Sequence, residues 1–315
     1  MPDLPEPRIA VLVPCYNESV SIGAVVRDFR EALPQARIFI YDNNSTDDTV
    51  AVARAAGAIV RREPLQGKGN VVRRMFGDIE ADIYVLVDGD DTYDAASAPR
   101  LVAELLDEKL DMVVGARVAE AKAAYRTGHR LGNVVLTRLV GMIFGNRFRD
   151  MLSGYRVFSR RFVKSFPALS QGFEIETELN VHALELRMNI REVDTPYRER
   201  PEGSFSKLST FRDGWRILRM IVHLMKEERP REFFGLGFLV LVLMSLGFGV
   251  PVIAEFMETG LVRRFPTALL ATGLMLLAFL SLTSGLILDT VTTARREVKR
   301  LAYLSHVAPG RSGEH

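Results

Sequence analysis

The stretch "YVLVDGDDTY" (residues 84–93) sets three carboxylates, Asp88, Asp90 and Asp91, directly behind the apolar run Val85-Leu86-Val87. Like charges held that close repel, so either solvent screens them in a surface turn or a cation holds them. Two other apolar runs end in polar residues of the same kind. "RIAVLVP" (8–14) leads into "CYNES", with Asn17 and Glu18, and "ARIFIYD" (36–42) leads into "NNSTDD". Asn, Asp, Ser and Thr are common helix caps and turn formers, which accounts for any one junction alone. Three of them on one sheet edge point to a shared polar site.

That edge follows from the order of the elements. Over the first 120 residues, apolar strands (8–14, 36–42, 57–62, 82–88, 111–116) alternate with helical segments (19–33, 47–56, 68–79, 98–109). The alternation predicts a parallel α/β sheet covered on both faces. Ligands of such sheets bind beyond the carboxyl ends of the strands. Ser19 is expected at the start of the first helix, and Asp47 and Asp48 stand where a helix N-terminus favours negative charge.

A chain of 315 residues forms one large domain or two smaller ones, and its 41 Lys and Arg against 39 Asp and Glu carry no nucleic-acid signature. Cys15 is the only cysteine, which excludes an intrachain disulfide and a cysteine-based zinc cage. The first residues, "MPDLPEPRIA", lack a basic-then-apolar signal pattern. Residues 233–254 and 265–288 contain no charged side chain. Each run exceeds the roughly 20 residues needed to cross a bilayer core, so two transmembrane helices are expected. Arg263 and Arg264 lie in the loop between them. Lys226, Arg229 and Arg231 precede the first run, and Arg295, Arg296, Lys299 and Arg300 follow the second. The positive-inside rule then places the N-terminal bulk and both termini in the cytosol. Upstream, Phe211, Trp215, Leu218, Val222 and Met225 recur at steps of four and three among Arg212, Arg216, Arg219 and Lys226. This is the pattern of a basic amphipathic helix lying at a membrane interface. The apolar segment 131–148 reads either as a core helix or as a helix on the membrane surface.

Together these motifs resemble the family 2 glycosyltransferases of GT-A fold, and more narrowly the polyprenyl-phosphate sugar synthases related to dolichol-phosphate mannose synthase. The resemblance covers about residues 8–230, and the two-span tail matches a membrane-anchored branch of that group. "VPCYNE" matches the opening motif, which implies a nucleobase site at Pro14, Tyr16, Asn17 and Glu18. "YDNNSTDDT" stands where the family has Asp-Asp-Gly-Ser-x-Asp-x-Thr. That implies donor contacts for Asp42 and Asn44, although the Asn43-Asn44 pair departs from the pattern. "QGKGNVVR" matches a Gly-Lys-Gly segment, with Lys68 near the donor diphosphate; it is not a P-loop. Asp88-Gly89-Asp90 resembles the Asp-x-Asp motif. The resemblance implies that Asp88 and Asp90 hold Mg²⁺ or Mn²⁺, with Gly89 letting the backbone turn both carboxylates to the cleft. Thr92 stands where related synthases often carry a Gln, so a third metal ligand is left open.

"DMLSGYRVFSR" (150–160) resembles the segment that puts Asp150, Ser153 and Arg156 near the reacting groups. Asp90, Asp150 and Arg156 form the implied catalytic set. "RERPEGSFSKLS" (198–209) matches a loop whose Arg200, Ser206 and Lys207 close over phosphates, with one residue more than the family pattern. Arg117 and Arg130 fall at phosphate-binding positions. Glu174 and Glu176 either border the acceptor pocket or sit on a solvated helix start.

The implied architecture is a cytosolic, mostly parallel, Rossmann-like GT-A domain (1–206), a juxtamembrane amphipathic helix (207–232), a transmembrane hairpin (233–290) and a cytosolic tail (291–315). The implied reaction moves a sugar from a UDP- or GDP-linked donor to undecaprenyl or dolichyl phosphate, with inversion. A membrane is an expected partner, nucleic acid is not, and homo-oligomerisation is left open. Two rival readings are a membrane polysaccharide synthase and a non-catalytic nucleotide-sugar-binding membrane partner. The first needs more spans and a Gln-x-x-Arg-Trp-like motif, whereas the only tryptophan, Trp215, lies in "DGWRIL". The intact Asp-x-Asp and Ser-Lys motifs count against the second.

Overall fold

Strand β1 (Ile9–Cys15) is buried along nearly its whole length because helices cover both faces of the sheet around it. In the computed structural model, residues 7–119, 148–170, 172, 174–200, 219, 222, 223 and 225–310 are described. The further strands are β2 (Arg37–Asp42), β3 (Ile59–Arg62), β4 (Ile83–Leu86), β5 (Met112–Ala119), β6 (Arg156–Ser159) and β7 (Ile190–Tyr197). They join in one sheet of order β3-β2-β1-β4-β6-β5-β7. Every pairing is parallel except those of β6, which runs antiparallel to both β4 and β5.

Helix α1 (Ile22–Ala32), followed after β2 by the short α2 (Thr49–Ala55), buries Ile22, Val25, Val26 and Phe29, spaced to fall on one helical face. Helix α4 (Ala98–Asp107) does the same with Leu101, Val102 and Leu105. Both pack on the sheet face that carries Ile9, Val11, Val13, Val85 and Val157. The opposite face takes α3 (Lys68–Asp78), α5 (Arg160–Ser165) and α6 (Ile175–Glu185). There Phe76 meets Tyr84, Phe158 and Phe166 edge-on, with ring centroids 5.8–6.2 Å apart. The first helix begins at Ile22 and not at Ser19. The Ser19 N–H donates to Asp47 Oδ2 (3.1 Å), and Ser21 Oγ donates to the Gly89 carbonyl (2.7 Å), so both serines tie loops together.

Register decides what meets at the carboxyl edge. Cys15 pairs with Asp42 and Leu12 with Leu86, so the chain leaves β1, β2 and β4 on the same side. Because β6 is antiparallel, its first residue, Arg156, lies opposite Leu86 of β4 and Val114 of β5. Residues 150–155 therefore enter from that same edge. Strand β7 ends there too, with Tyr197 opposite Ala119.

The chain divides into two units, Met1–Ile217 with Val298–His315, and Leu218–Glu297. In the first, residues past 298 pack against the sheet-bearing part. Lys299 Nζ donates to the buried Glu185 (2.6 Å), and Tyr303 Oη donates to the buried Asp111 (3.0 Å). Arg161 lies over the Tyr303 ring at 4.7 Å and also bonds Asp111. The second unit is an antiparallel hairpin of two long helices. One is Pro230–Thr259, closed by Gly260 in the left-handed region (φ 68°); the other starts at Phe265 and runs on to Leu304. The second helix runs past residue 290, the expected end of the membrane hairpin, because "TTARREVKRLAYL" contains no breaker. Small residues let the helices approach. Ser245 Oγ donates to the Ala271 carbonyl (2.7 Å) and Ser281 Oγ to the Phe234 carbonyl (3.0 Å). Among the described residues these two helices are long and apolar enough to cross a membrane, and most of their Leu, Val, Ile and Phe side chains are uncovered.

Candidate functional site

The loops after β1 and β2 are bonded to each other. The Asn17 N–H donates to Ser45 Oγ (2.9 Å), Asn17 Oδ1 accepts from the Thr46 N–H (2.8 Å), and the Glu18 N–H donates to Thr49 Oγ1 (2.8 Å). Asp42 is buried at the end of β2 and accepts from the Ser45 N–H (3.2 Å). Both residues that depart from the resembled motif have a structural reason. Asn43 donates to the Glu63 and Leu65 carbonyls (2.9 and 2.8 Å) and accepts from the Gly67 N–H (2.7 Å). A carboxylate there could not donate. Asn44 sits at φ 67°, the left-handed region that Asn tolerates, in the place where the motif has Gly.

Each acidic residue after β4 has a different environment. Asp88 Oδ1 accepts from Lys68 Nζ at 2.5 Å, and the same ammonium reaches Glu176 Oε1 at 2.5 Å. Burial alone would lower the Lys68 ammonium, but the two carboxylates outweigh it and raise it. Asp90 is buried. Its Oδ1 accepts from Thr92 Oγ1 (2.6 Å), and its Oδ2 pairs with Arg200 Nη2 (2.6 Å). Burial, and then the nearby Asp88 charge, raises the Asp90 carboxyl, with Arg200 acting in the other direction. Asp91 takes a left-handed backbone (φ 57°), and its carboxyl is raised by burial and by Asp28. Among the described residues no three His, Cys, Asp or Glu side chains converge as a metal cage. Asp88 and Asp90 nevertheless offer only hard oxygen donors. That set fits a small divalent cation that completes its shell with water and phosphate oxygens.

Two glycines make room here. A Cβ at Gly89 would lie 2.8 Å from Cys15 Sγ, and a Cβ at Gly154 would lie 2.8 Å from Asp88 Cγ. Gly89 does not have a positive φ, so close approach, and not a turn, requires it. The turn-forming glycine of this edge is Gly67, at φ 130° just before α3.

On the β5–β6 side, Arg117 forms a bidentate pair with Asp150, Nε to Oδ2 and Nη2 to Oδ1, both 2.7 Å. The Arg117 guanidinium also lies 5.5 Å from the centroid of the Tyr197 ring. Burial raises the Asp150 carboxyl, but the Arg117 hydrogen bonds and charge outweigh it and hold the group below the ordinary range. The Arg198 N–H donates to the Thr92 carbonyl (2.9 Å), which brings Arg200 to Asp90.

Two expectations need correction. Arg156 is fully buried, so it does not face the reacting groups. Its guanidinium donates to the Ser153 carbonyl (2.9 Å), the Met151 carbonyl (2.8 Å) and Asn180 Oδ1 (2.6 Å), and so shapes the loop that carries Asp150. Ser153 is also fully buried, and its hydroxyl donates to the Gly115 carbonyl (2.6 Å). Lys68 is enclosed between Asp88 and Glu176, which take hydrogen bonds from its ammonium. Pro14, Tyr16, Asn17, Glu18, Asp42, Asn44, Asp88, Gly89, Asp90, Arg117, Asp150 and Arg200 all gather at the one edge. Arg130, Ser206, Lys207 and most of the amphipathic segment with Trp215 lie outside the described residues. Sequence reasoning missed Asn43, Gly154 and Tyr93, whose hydroxyl accepts from the Gly154 N–H (2.8 Å), and left Glu176 open.

The chain is similar to known proteins. The profile described as "Glycosyl transferase family 2" matches residues 10–166. "Glycosyltransferase AglJ" of Haloferax volcanii is 32% identical over 305 residues, covering 96% of this chain and 100% of that one. The "Dolichyl-phosphate hexose transferase" of the same organism is 29% identical over 223 residues, 71% of this chain and 96% of that one. Among solved structures, the glucosyl-3-phosphoglycerate synthase of Mycobacterium tuberculosis in complex with Mn²⁺, UDP and glucosyl-3-phosphoglycerate aligns with a TM-score of 0.56. It is 24% identical, over 70% of this chain and 79% of that one.

Proposed function

The chain belongs to glycosyl transferase family 2 and has the GT-A fold, and from that footing we propose that it transfers a hexose from a nucleoside-diphosphate donor to a polyprenyl phosphate, with inversion. The observation that carries this reading is one of co-occurrence. An acidic edge suited to a metal-bound diphosphate stands in the same chain as two uncovered apolar helices. A lipid acceptor explains both, since its phosphate sits at headgroup level and its tail lies in the bilayer. The relative named for dolichyl-phosphate hexose transfer supports the same acceptor class.

In this reading Asp88 and Asp90 hold Mg²⁺ or Mn²⁺. Bound there, the cation neutralises charge developing on the departing diphosphate. Asp42 and the loop from Tyr16 to Glu18 receive the base and ribose of a UDP or GDP group, with Asn44 beside them. Arg200, which pairs with Asp90 in this structure, would pair with the diphosphate when a cation is held there. Arg117 exchanges one bond to Asp150 for the acceptor phosphate, and Asp150 keeps the guanidinium in register. The acceptor oxygen is already anionic at neutral pH, so no strong general base is required. Catalysis then rests on positioning and charge stabilisation. Arg130, Ser206 and Lys207 bind the phosphates. Residues 1–206 and both termini lie in the cytosol, with residues 207–232 at the membrane interface.

The test is to assay the full chain in detergent with a polyprenyl phosphate and a panel of UDP- and GDP-sugars, reading release of nucleoside diphosphate. Release should depend on the lipid, and should vanish in excess chelator and in Asp90→Ala. Release without the lipid, undiminished release in chelator, or none with any donor would overturn the reading.

A further inference from the structure

We propose that Glu176 is a positioning residue for the cation site: it holds Lys68 beside Asp88 and leaves Asp88 the negative charge that a divalent cation needs. The proposal rests on the reading of Asp88 and Asp90 as the metal-holding pair. It starts from an imbalance of charge. Lys68 alone with Asp88 would be a neutral pair, a poor ligand for a cation. With Glu176 on the same ammonium, both at 2.5 Å, the three side chains carry one net negative charge. The Lys68 and Glu176 side chains are only 9% and 8% exposed, whereas that of Asp88 is 29% exposed. The excess charge therefore rests on the more exposed Asp88, and Glu176 acts through Lys68.

The arrangement is held from several directions. Lys68 is the first residue of α3, and Glu176 lies in the first turn of α6. The Gly69 N–H donates to the Gly172 carbonyl (3.1 Å), joining the approaches to the two helices. One turn further along α6, Asn180 accepts from Arg156 (2.6 Å) and donates to the Met151 carbonyl (2.8 Å). Gly154 closes the remaining side of Asp88, since any Cβ there would overlap its carboxylate. Asp88 thus has one oxygen on Lys68 and its flank against Gly154. Buried charges are weakly screened, so a change of one charge at Glu176 is felt strongly at Asp88.

The experiment titrates Mn²⁺ into the full chain in detergent and reads binding of UDP or GDP by calorimetry, without turnover. Glu176→Gln should raise the Mn²⁺ concentration for half-maximal nucleotide binding tenfold or more. Glu176→Asp should restore most of the loss. The double variant Lys68→Met with Glu176→Gln again leaves one net negative charge, on Asp88, and should return within about threefold of wild type. A purely structural role for Glu176 makes the double variant worse than the single one. The proposal is overturned if the Glu176→Gln midpoint is unchanged, or if the double variant lies further from wild type than the single. Should the single variant not fold, the double variant decides alone, since it buries no unpaired charge: a tenfold shift there overturns the proposal. A wild-type chain that binds neither nucleotide at any Mn²⁺ concentration overturns the functional reading, and this proposal with it.

Discussion

Replacing Arg156 separates a substrate contact from a buried brace. The side chain is fully buried and donates to two backbone carbonyls and to Asn180 Oδ1. Burial lowers its guanidinium to about 10, which still leaves it charged at neutral pH. Arg156→Met fills much of the volume but leaves the Ser153 carbonyl and Asn180 Oδ1 dry, while the Met151 carbonyl keeps the Asn180 amide. At about 1–3 kcal/mol each, the two sum to roughly 2–6 kcal/mol, a substantial part of the roughly 5–15 kcal/mol that stabilises a typical domain. With about 2–4 °C lost per kcal/mol in a unit of this size, the melting midpoint should fall by at least about 4 °C. Arg156→Lys keeps the charge but not the planar fork, so it should fall between the two. The assay is thermal unfolding of the full chain in detergent, with nucleotide binding and turnover measured below both midpoints. A variant that melts like wild type yet has lost turnover would refute the reasoning, because Arg156 would then be acting on substrate.

Asp150→Asn removes half of an enclosed ion pair and should cost about 3–5 kcal/mol near neutral pH. The Asp150 carboxyl is depressed in the folded state, so its contribution is complete above the unfolded value of about 3.9 and is lost as pH falls through the lower folded value. The stability gap between wild type and variant, followed by denaturant unfolding, should stay constant from about pH 5 to 8 and shrink only below about pH 4; a gap that varies between pH 6 and 8 would contradict the assignment. Gly154→Ala should displace Asp88 and weaken Mn²⁺-dependent nucleotide binding while the far-ultraviolet circular dichroism is retained; unchanged Mn²⁺ dependence would show that the loop yields instead.

The acidic edge was legible because two independent regularities coincide there. Apolar runs of strand length mark β1, β2 and β4, and parallel pairing delivers their polar carboxyl ends to one side. The Arg156 environment was not legible. An arginine in a functional-looking segment reads as exposed, since arginine is almost never fully buried unless paired. What permits its burial is Asn180, 24 positions away, together with two carbonyls freed by an irregular loop. The Lys68–Glu176 contact joins residues 108 positions apart, across a helix order that no local pattern specifies. Glycines posed the same difficulty in miniature. Gly67 and Gly89 look alike in sequence, yet one serves a positive φ and the other a sulfur atom at van der Waals range.

The contacts of Lys299 and Tyr303 bear on how the protein is made. Asp111 and Glu185 are in place once the N-terminal part of the chain has been synthesised, but their partners are translated after both apolar helices. Until then each of the two enclosed carboxylates is short of one charge-assisted hydrogen bond, worth about 1.5–3 kcal/mol, although Asp111 keeps Arg161 and Ser159. Final consolidation of the sugar-transferring unit therefore waits on the ribosome finishing the hairpin, which delays full stability until the membrane segments have been produced. The same timing applies at the bench. A soluble fragment cut at residue 230 reproduces the nascent intermediate, and adding residues 298–310 back, through a linker or as a separate peptide, should raise its melting temperature.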